Sequence, residues 1–312
     1  MQMTELVLNF KIANQNQGEV YIDIAKALSI CNRKLFRQTG LWHVHGVCTY
    51  ADAVSALNPL ATVGVPYTVA ISGAPRNWVT RNAIVKAFEA WKDQQKKVYD
   101  GVSPSIKPKW QDFKIYLNEN HINDGDLLPI SGHMFGGTDL YNAGEWVHSK
   151  LVIETTDAAG AIVQHEPTMH ILGDDDGFNS KGLILNYQES RALPQSPDPS
   201  LPIGWNDNLY ALSAEPLSDQ LEEITENMGV DNNAPPYDRN DYPGNDSNGY
   251  EPVLYSFGAN SNTAKRKLTL NGFAAPNGLL EIQFDKDINP DVAQSDTGEF
   301  WIQLFVSHRE AY

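Results

Sequence analysis

Two histidines with a spacing that suits metal binding occur in the segment His43-Val44-His45. Side chains at i and i+2 of a strand share one face, so both imidazoles would meet the same cation. A metal site of this kind also needs a carboxylate close behind and a further histidine on a neighbouring strand. The next acidic residue is Asp52, so the sequence favours two polar side chains on a half-exposed strand over a metal centre.

A short acidic turn lies in the segment Gly173-Asp-Asp-Asp-Gly-Phe-Asn179. Alternate Asp oxygens around a turn-forming Gly can wrap a hard cation, which makes Asp174, Asp176 and Asn179 candidate ligands for calcium. The pattern of a full EF-hand loop is absent, because Leu185 stands where that loop needs a bidentate Glu. A plain polar turn explains the same residues, and beyond this calcium turn we expect no cofactor.

The sequence offers no recognisable nucleophile. It contains no Gly-x-Ser-x-Gly segment, and neither Cys31 nor Cys48 lies in a catalytic motif. Two cysteines cannot form a disulfide framework, which favours synthesis in a reducing, intracellular compartment. Carboxylate pairs that hydrolyse glycosides depend on a distance in space, so the sequence leaves them open. We predict a protein that is not an enzyme.

Basic and aromatic residues alternate in one stretch of the N-terminal third. Cations that neutralise phosphates, placed beside aromatic rings that stack on bases, are typical of non-specific single-strand binding. Several acidic residues dilute this pattern, and an amphipathic helix packed on a sheet explains it as well. The candidate nucleic-acid-facing residues are Arg76, Arg81, Lys86, Lys92, Lys96 and Lys97.

The net charge of −16 is unevenly distributed over the 312 residues. Residues 1–120 hold 14 Lys and Arg against 9 Asp and Glu, whereas residues 121–312 hold 9 against 30. A surface with this excess of acidic residues repels the phosphates of nucleic acid. We therefore expect any contact with nucleic acid to come from the N-terminal third only. We also expect neither a secretory leader nor a membrane span, because no long apolar run occurs.

Short runs rich in β-branched and aromatic residues, bounded by Gly, Pro, Asn and Asp, dominate the pattern and predict strands. The first run alternates apolar and polar residues from Leu6 to Ile12, which is the period of a strand with one buried face. The other predicted strands are 41–50, 65–73, 113–117, 146–156, 161–172, 252–258, 267–273, 279–284 and 299–308.

Helical spacing is confined to a few segments. The clearest runs from about Trp78 to Tyr99, with Asn77 as its cap and Gly101 as its stop. Segment 20–38 opens with a strand-like pattern, and helical spacing follows from Ile24 to Leu35. An acidic helix is also predicted over 217–228. Segments 191–205 and 232–252 are loops by composition.

These elements predict an all-β fold. Many short strands without regular βαβ alternation indicate an antiparallel β-sandwich, and a jelly roll with long insertions fits best. We expect one jelly-roll domain over residues 1–312, with a helical insertion at about 77–101 and a long acidic loop insertion at about 174–250. A double jelly roll is the alternative, since 312 residues would just hold one.

Several segments resemble the major capsid proteins of small circular single-stranded DNA viruses known from environmental samples. The similarity begins in Asn77-Trp-Val-Thr-Arg-Asn-Ala-Ile-Val-Lys-Ala-Phe-Glu-Ala-Trp91 and continues in Trp146-Val-His-Ser-Lys-Leu-Val-Ile153. It extends through Ser180-Lys-Gly-Leu-Ile-Leu-Asn-Tyr-Gln-Glu-Ser-Arg191 to Gly272-Phe-Ala-Ala-Pro-Asn-Gly-Leu-Leu-Glu-Ile282. The patterns are loose and carry no catalytic signature.

The resemblance implies a structural virion protein that self-assembles into an icosahedral shell around the genome. It implies a location in the virion capsid after synthesis inside the host cell, with other copies of the chain as the main partner. Many such coat proteins carry an Arg-rich N-terminal arm, and here strand residues begin within six positions of Met1. Either the mildly basic N-terminal third makes a weak, non-specific contact with genomic DNA, or other virion proteins or an internal lipid layer intervene.

Aromatic residues in the acidic loops are candidates for contacts between subunits, because such residues are enriched at the centres of interfaces. Local packing within the loops is the alternative explanation. The runner-up function is a carbohydrate- or metal-binding β-sandwich, including a hydrolase or a cupin-like enzyme. The interface candidates are Trp205, Tyr210, Tyr237, Tyr242 and Tyr250.

Overall fold

The computed structural model describes residues 6–12, 19–52, 67–106, 108–131, 140–156, 160–190, 251–258, 266–286 and 299–312. The chain forms two compact units, one of Met1–Asn186 with Pro243–Tyr312 and one of Tyr187–Tyr242. All elements discussed below belong to the first unit, apart from residues 187–190.

Twelve strands and four α-helices are described, together with a 3-10 turn at Pro104–Ile106. In chain order they are β1 (Val7–Ile12), β2 (Glu19–Asp23), α1 (Ile24–Asn32), β3 (Leu41–Asp52), β4 (Tyr67–Gly73), α2 (Trp78–Val98), α3 (Glu119–Asp124), β5 (Ile153–Thr156), β6 (Ile162–His165), β7 (Thr168–His170), β8 (Ser180–Gly182), α4 (Leu183–Ser190), β9 (Glu251–Gly258), β10 (Arg266–Pro276), β11 (Leu279–Lys286) and β12 (Glu299–Glu310).

Two four-stranded antiparallel sheets form the body of the protein. One has the order β1-β12-β3-β10 and the other the order β2-β11-β4-β9. Phe10 and Ile302 of the first sheet share one buried cluster with Ile22, Ile71 and Ile282 of the second. The sheets therefore pack face to face, and the prediction of an all-β antiparallel sandwich is confirmed.

The alternation read from the sequence places the core correctly. In β1, Leu8, Phe10 and Ile12 are buried, while the residues between them are half-buried. The same strand lies in register with β12, where Leu8 is opposite Leu304 and Phe10 is opposite Ile302. Burial of alternate apolar side chains thus fixes which face of the strand meets the second sheet.

A tight turn at residues 275–278 carries the chain from the first sheet to the second. The Gly278 N–H donates to the Ala275 carbonyl at 3.2 Å, and Asn277 has a φ of 55°. Pro276 before a residue with positive φ is typical of a type II turn. Gly278 itself has a φ of 70°, and a Cβ there would lie 2.8 Å from Trp42 Cδ1.

One long connection, residues 74–250, separates β4 from β9. It contains α2, α3, α4 and two small pairs of strands, antiparallel β5–β6 and parallel β7–β8. Both predicted insertions, at about 77–101 and 174–250, fall within this connection. The predicted helix at 78–99 is confirmed, whereas the predicted helix at 217–228 lies outside the described residues.

The predicted strand at 113–117 was wrong. Its backbone donors bind separate partners: Lys114 N–H donates to Ser149 Oγ, Ile115 N–H to Gln38 Oε1 and Tyr116 N–H to the Met169 carbonyl, so only an isolated bridge to β7 forms. The predicted strand at 161–172 breaks into β6 and β7 around Pro167, which lacks a backbone donor. Of segment 146–156 only the end, β5, is a strand.

Candidate functional site

Helix α2 is amphipathic and its buried face anchors it. Asn77 caps it, since its side chain accepts the Thr80 N–H at 2.8 Å. Val79, Ile84 and Trp91 are buried, and each large apolar side chain contributes roughly 1.5–3 kcal/mol when fully buried. Because the apolar face of α2 is buried, the opposite face of the helix is turned towards solvent.

The exposed face of α2 and its N-terminal flank carry the predicted basic residues. All six candidates are exposed to solvent: Arg76, Arg81, Lys86, Lys92, Lys96 and Lys97. Lys96 and Lys97 lie in the last turn, where a positive charge stabilises the helix through its interaction with the helix dipole. Lys92 lies 3.1 Å from Glu89, so acidic residues dilute the charge in the middle of the face.

The aromatic residues of the basic stretch divide into two groups. Trp91 is buried and packs against Phe113, with ring centroids 5.6 Å apart, so it belongs to the core. Trp78 and Trp110 are exposed. Lys114 is buried as well, with its ammonium 4.6 Å from the Trp146 ring, and it does not add to the basic surface.

A cleft of about 360 Å³ opens at the N-terminal end of α2. The helix contributes two arginines, Arg76 before its cap and Arg81 in its first turn, with the indole of Trp78 between them in sequence. Opposite elements contribute Pro276 and the C-terminal residues 310–312. The cleft thus combines guanidinium groups, an aromatic ring and a helix N-terminus.

Near this cleft, two buried polar groups have no hydrogen-bond partner within the residues that the structure describes, and only one of them belongs to a residue that lines the cleft. The Thr80 hydroxyl is one, and Thr80 lines the cleft. The other is Nδ2 of Asn277, whose Oδ1 accepts the hydroxyl of Tyr312 at 2.9 Å. Burial raises the pKa of Tyr312, which keeps this lining phenol protonated and a donor.

A buried polar network joins the sandwich to the connection that carries α2. Lys26 Nζ lies 2.6 Å from Asp126 Oδ2, and His121 Nε2 lies 2.6 Å from Asp126 Oδ1. The Leu117 N–H donates to His121 Nδ1, so the proton of this imidazole is on Nε2 and is donated to Asp126. Although burial alone raises the pKa of Asp126, these two donors outweigh it and lower the pKa to about 2.

Asp23 forms the second half of the network. It caps α1 by accepting the Lys26 N–H at 3.0 Å, and it accepts Gln38 Nε2 at 3.0 Å. Gln38 in turn exchanges hydrogen bonds with the backbone of Ile115. Burial, with the nearby charge of Asp126, raises the pKa of Asp23 to about 8. The network is enclosed in protein, so it holds segments 112–126 against α1 rather than meeting a substrate.

The predicted histidine pair lies where the sequence placed it, on one face of β3. His43 stacks on His308 of β12 with ring centroids 4.3 Å apart and planes at 9°, and its Nε2 lies 3.4 Å from Glu310. Lone pairs of stacked imidazoles lie in parallel planes and do not converge on one cation. His45 instead packs at 5.6 Å from Phe305.

The acidic turn is organised by Asp175, which the calcium prediction did not include. Asp175 lies 2.6 Å from Lys181 and also accepts the Gly182 N–H. Asp176 accepts Asn179 Nδ2 at 3.1 Å, and Asp174 is exposed. In the described part of the chain no three His, Cys, Asp or Glu residues gather as a metal site, so the calcium prediction gains no support.

The interface candidates Trp205, Tyr210, Tyr237, Tyr242 and Tyr250 lie outside the described residues. Sequence reasoning missed the cleft residues Thr80 and Tyr312 and the buried network. One residue of the network could have been predicted from the sequence, because Asp23 directly precedes a helical pattern as a capping residue does. The cleft could not be predicted from the sequence, because the residues on its two sides are far apart in the chain.

Comparison with protein-family models, with curated proteins and with solved structures found no match. Among the described residues, none of the helices is both long enough and apolar enough to cross a bilayer.

Proposed function

We propose that this protein is a viral coat subunit, a jelly roll that self-assembles into an icosahedral shell enclosing the viral genome. The observation that carries the proposal is the pairing of the sandwich strands. The first of the eight pairs with the last (β1–β12), the second with the seventh (β2–β11), the third with the sixth (β3–β10) and the fourth with the fifth (β4–β9).

This pairing is what one long hairpin of eight strands gives when it rolls into two sheets. Jelly rolls of this kind occur in viral capsid domains, and also in lectins and cupins. A fold alone does not decide between these functions. The sequence resemblance to capsid proteins favours the coat, and the described residues supply no metal group that would favour a cupin-like enzyme.

The long connection between the two central strands suits a subunit that needs several contact surfaces. It carries elements outside the two sheets, among them α2, β5 and β6, and connections of this kind commonly provide contact surfaces. It also exposes large apolar side chains: Val147 is 73% exposed, Ile162 71% and Trp110 65%. Neighbouring subunits in a shell would cover them.

In this proposal the main partner is a second copy of the chain. Other virion proteins or an internal lipid layer are further partners, and the protein resides in the virion after synthesis in the host cell. The exposed basic face of α2 is the surface that would meet genomic DNA.

Sedimentation and negative-stain microscopy of the purified protein test the proposal. We expect closed particles or their ring-shaped precursors at some combination of salt and calcium. Val147→Glu and Ile162→Glu should abolish assembly without lowering the unfolding temperature, whereas Asn142→Glu, at an exposed polar position in the same connection, should assemble normally. A protein that stays monomeric under all these conditions would overturn the proposal.

A further inference from the structure

We infer that the turn at the C-terminal end of α2 docks on the surface of an anionic lipid bilayer, with its exposed apolar side chains among the lipids and its lysines at the headgroups. This surface, residues 96–110, is called the α2 tip below. The inference rests on the proposed function where it assigns the tip to the internal lipid layer of a virion, whereas the docking itself requires only the folded subunit. The apolar members are Val98, Ile106 and Trp110, and the exposed lysines are Lys96, Lys97 and Lys109.

Exposed apolar side chains are concentrated in the α2 tip. Among the described residues, five large apolar side chains are at least 65% exposed, and three of them belong to the tip: Ile106 at 68%, Val98 at 65% and Trp110 at 65%. A single exposed apolar residue is ordinary on a protein surface, whereas an apolar cluster rimmed by charged residues is typical of sites that bind proteins or membranes. The tip therefore has the composition of a binding surface.

The three apolar side chains come from one compact turn. After α2 the chain passes through the 3-10 turn at Pro104–Ile106 and returns to the helix, where Gln111 Nε2 donates to Gln95 Oε1 at 2.6 Å. Gln95 lies one helical turn before Val98, on the same side of α2. Trp110, next to Gln111, is thus brought back to the end of the helix that carries Val98.

The α2 tip is open on its outer side. Of the residues from 100 to 110 whose exposure the structure describes, all except Val102 are exposed. Gly101 has a φ of 78°, and a Cβ there would meet nothing within 4 Å. Such an open turn enters the soft headgroup region of a bilayer without a matching groove, which a protein partner would have to supply.

The charge of the α2 tip is complementary to anionic lipids. Residues 96–110 contain four Lys and one Asp, in a chain whose net charge is −16. Among the described residues, none of the three exposed lysines of the tip forms an ion pair, whereas Lys92, one helical turn earlier, pairs with Glu89. An anionic bilayer attracts these lysines and repels the acidic remainder of the chain, so it would orient the subunit with the tip towards the lipid.

The side chains of the α2 tip favour lipid over nucleic acid. Bases stack on aromatic rings, and the aliphatic side chains of Val98 and Ile106 offer no such surface. A bilayer instead accepts aliphatic groups below its headgroups, takes up Trp at the interface and lets the lysine ammonium groups stay in water. In a shell with an internal lipid layer, the lipid rather than a neighbouring subunit would then cover Trp110.

Flotation with lipid vesicles tests the inference, at a salt concentration where sedimentation shows single subunits. Vesicles with equal parts of phosphatidylcholine and phosphatidylglycerol should bind the protein at least about tenfold more tightly than vesicles of phosphatidylcholine alone. Lys96→Ala with Lys97→Ala should weaken binding to the mixed vesicles about tenfold or more, because two attractive charges are lost. Asp100→Asn removes the acidic residue of the tip and should strengthen binding.

The apolar half of the α2 tip has its own variants. Ile106→Ser should weaken binding to the mixed vesicles about fivefold or more, because a large apolar side chain no longer leaves water. Tryptophan emission should shift to shorter wavelengths when the parent protein binds the vesicles, as Trp110 enters the bilayer. Trp110→Phe should bind and show little of this shift, although six other tryptophans remain of the seven in the chain.

Two matched controls come from the same chain. Ile162→Ser removes an isoleucine that is 71% exposed, against 68% for Ile106, and lies outside the α2 tip. Arg76→Ala with Arg81→Ala removes the same charge as the lysine variant from the other end of a helix that is about 30 Å long. Each control should change the affinity by no more than about twofold, since the arginines lie beyond a Debye length from the tip.

Several outcomes would overturn the inference. They are a parent protein that does not float with the mixed vesicles, equal flotation with neutral vesicles, and losses in the controls as large as those in the tip variants. A labelled oligothymidylate that binds through the same residues and displaces the vesicles would assign the tip to nucleic acid instead. Self-association that is lost in Ile106→Ser would assign it to a second copy of the chain.

The two proposals fail in different ways. A chain that binds the vesicles through the α2 tip but never assembles would overturn the coat function and leave the docking standing. A chain that assembles and does not bind the vesicles would do the reverse. Circular dichroism of each variant confirms that the fold is retained.

Discussion

Lys26, in the first turn of α1, binds Asp126 through a contact of 2.6 Å although 100 residues separate them in the chain. The carboxylate is almost fully buried, and its second oxygen accepts the proton of His121. Backbone contacts join β2 to the same segment: Tyr21 and Asp126 form a parallel bridge, and the Leu127 N–H donates to the Tyr21 carbonyl at 2.7 Å. This is the joint between the sandwich and the connection that carries α2.

Asp126→Ala should destabilise the fold by about 3 kcal/mol, because it leaves the Lys26 ammonium and the His121 N–H without their buried acceptor. Urea denaturation followed by tryptophan fluorescence measures the loss. Glu89→Ala breaks the exposed pair with Lys92 and should cost about 0–1 kcal/mol. Equal effects of the two variants would show that the buried joint contributes no more than a surface pair.

Asp23 should make the protein less stable as the pH rises. Its pKa is about 8 in the folded chain against 3.8 as the ordinary value, so between these limits the folded state holds a proton that the unfolded state has released. Its stabilising contribution is complete below pH 3.8 and is lost progressively towards pH 8. The charged groups that act on it include Asp126, Lys26 and Lys114.

Asp23→Asn should remove this fall, which urea denaturation at a series of pH values would show as a flatter profile from pH 4 to pH 8. The absolute stability of the variant is a separate matter, because an amide also changes the contact with Gln38. An unchanged slope would mean that Asp23 ionises normally in the folded protein.

The sequence predicted the sandwich better than it predicted the sites, and the reason is physical. Alternation along β1 reports burial directly, since every second residue must face the core. The segment around Lys114 resembles a strand in sequence, yet two of its N–H groups donate to the side chains of Gln38 and Ser149, which come from distant parts of the chain. Local pattern contains no record of those partners.

The same limit applies to the candidate sites. The six basic residues could be predicted because they follow one helix, and the structure exposes all of them. The cleft could not, because Tyr312 meets Arg81 across most of the length of the chain. His43 was predicted as one of a pair with His45, whereas its stacking partner is His308, which only the pairing of β3 with β12 brings close.

His148 should act in the opposite direction to Asp23. Its ring stacks on Tyr116 at 3.6 Å, and burial lowers its pKa from 6.5 to about 3. Between these values the unfolded chain binds a proton that the folded chain does not, so its contribution is complete above pH 6.5 and is lost as the pH falls towards 3. His148→Phe keeps an aromatic ring on Tyr116 and should flatten the acid side of the stability profile by about 1–3 kcal/mol. Urea denaturation of the parent, Asp23→Asn and His148→Phe proteins at the same pH values distinguishes the effect of Asp23 from that of His148. A free energy of unfolding that falls towards acid pH as steeply in His148→Phe as in the parent would contradict the prediction.

Gly278→Ala should be more damaging than Gly144→Ala, although both glycines have a positive φ, 70° and 64°. A Cβ at position 278 would lie 2.8 Å from the Trp42 ring and 3.2 Å from Ile24 Cβ, whereas one at position 144 meets nothing within 4 Å. Gly144→Ala therefore measures the cost of the backbone conformation alone, about 1 kcal/mol. Gly278→Ala adds a collision with two buried side chains at the turn between the sheets, and we expect a further loss of about 1–3 kcal/mol. Thermal unfolding of both variants gives the difference, and equal unfolding temperatures would show that the turn yields without disturbing the packing of Trp42.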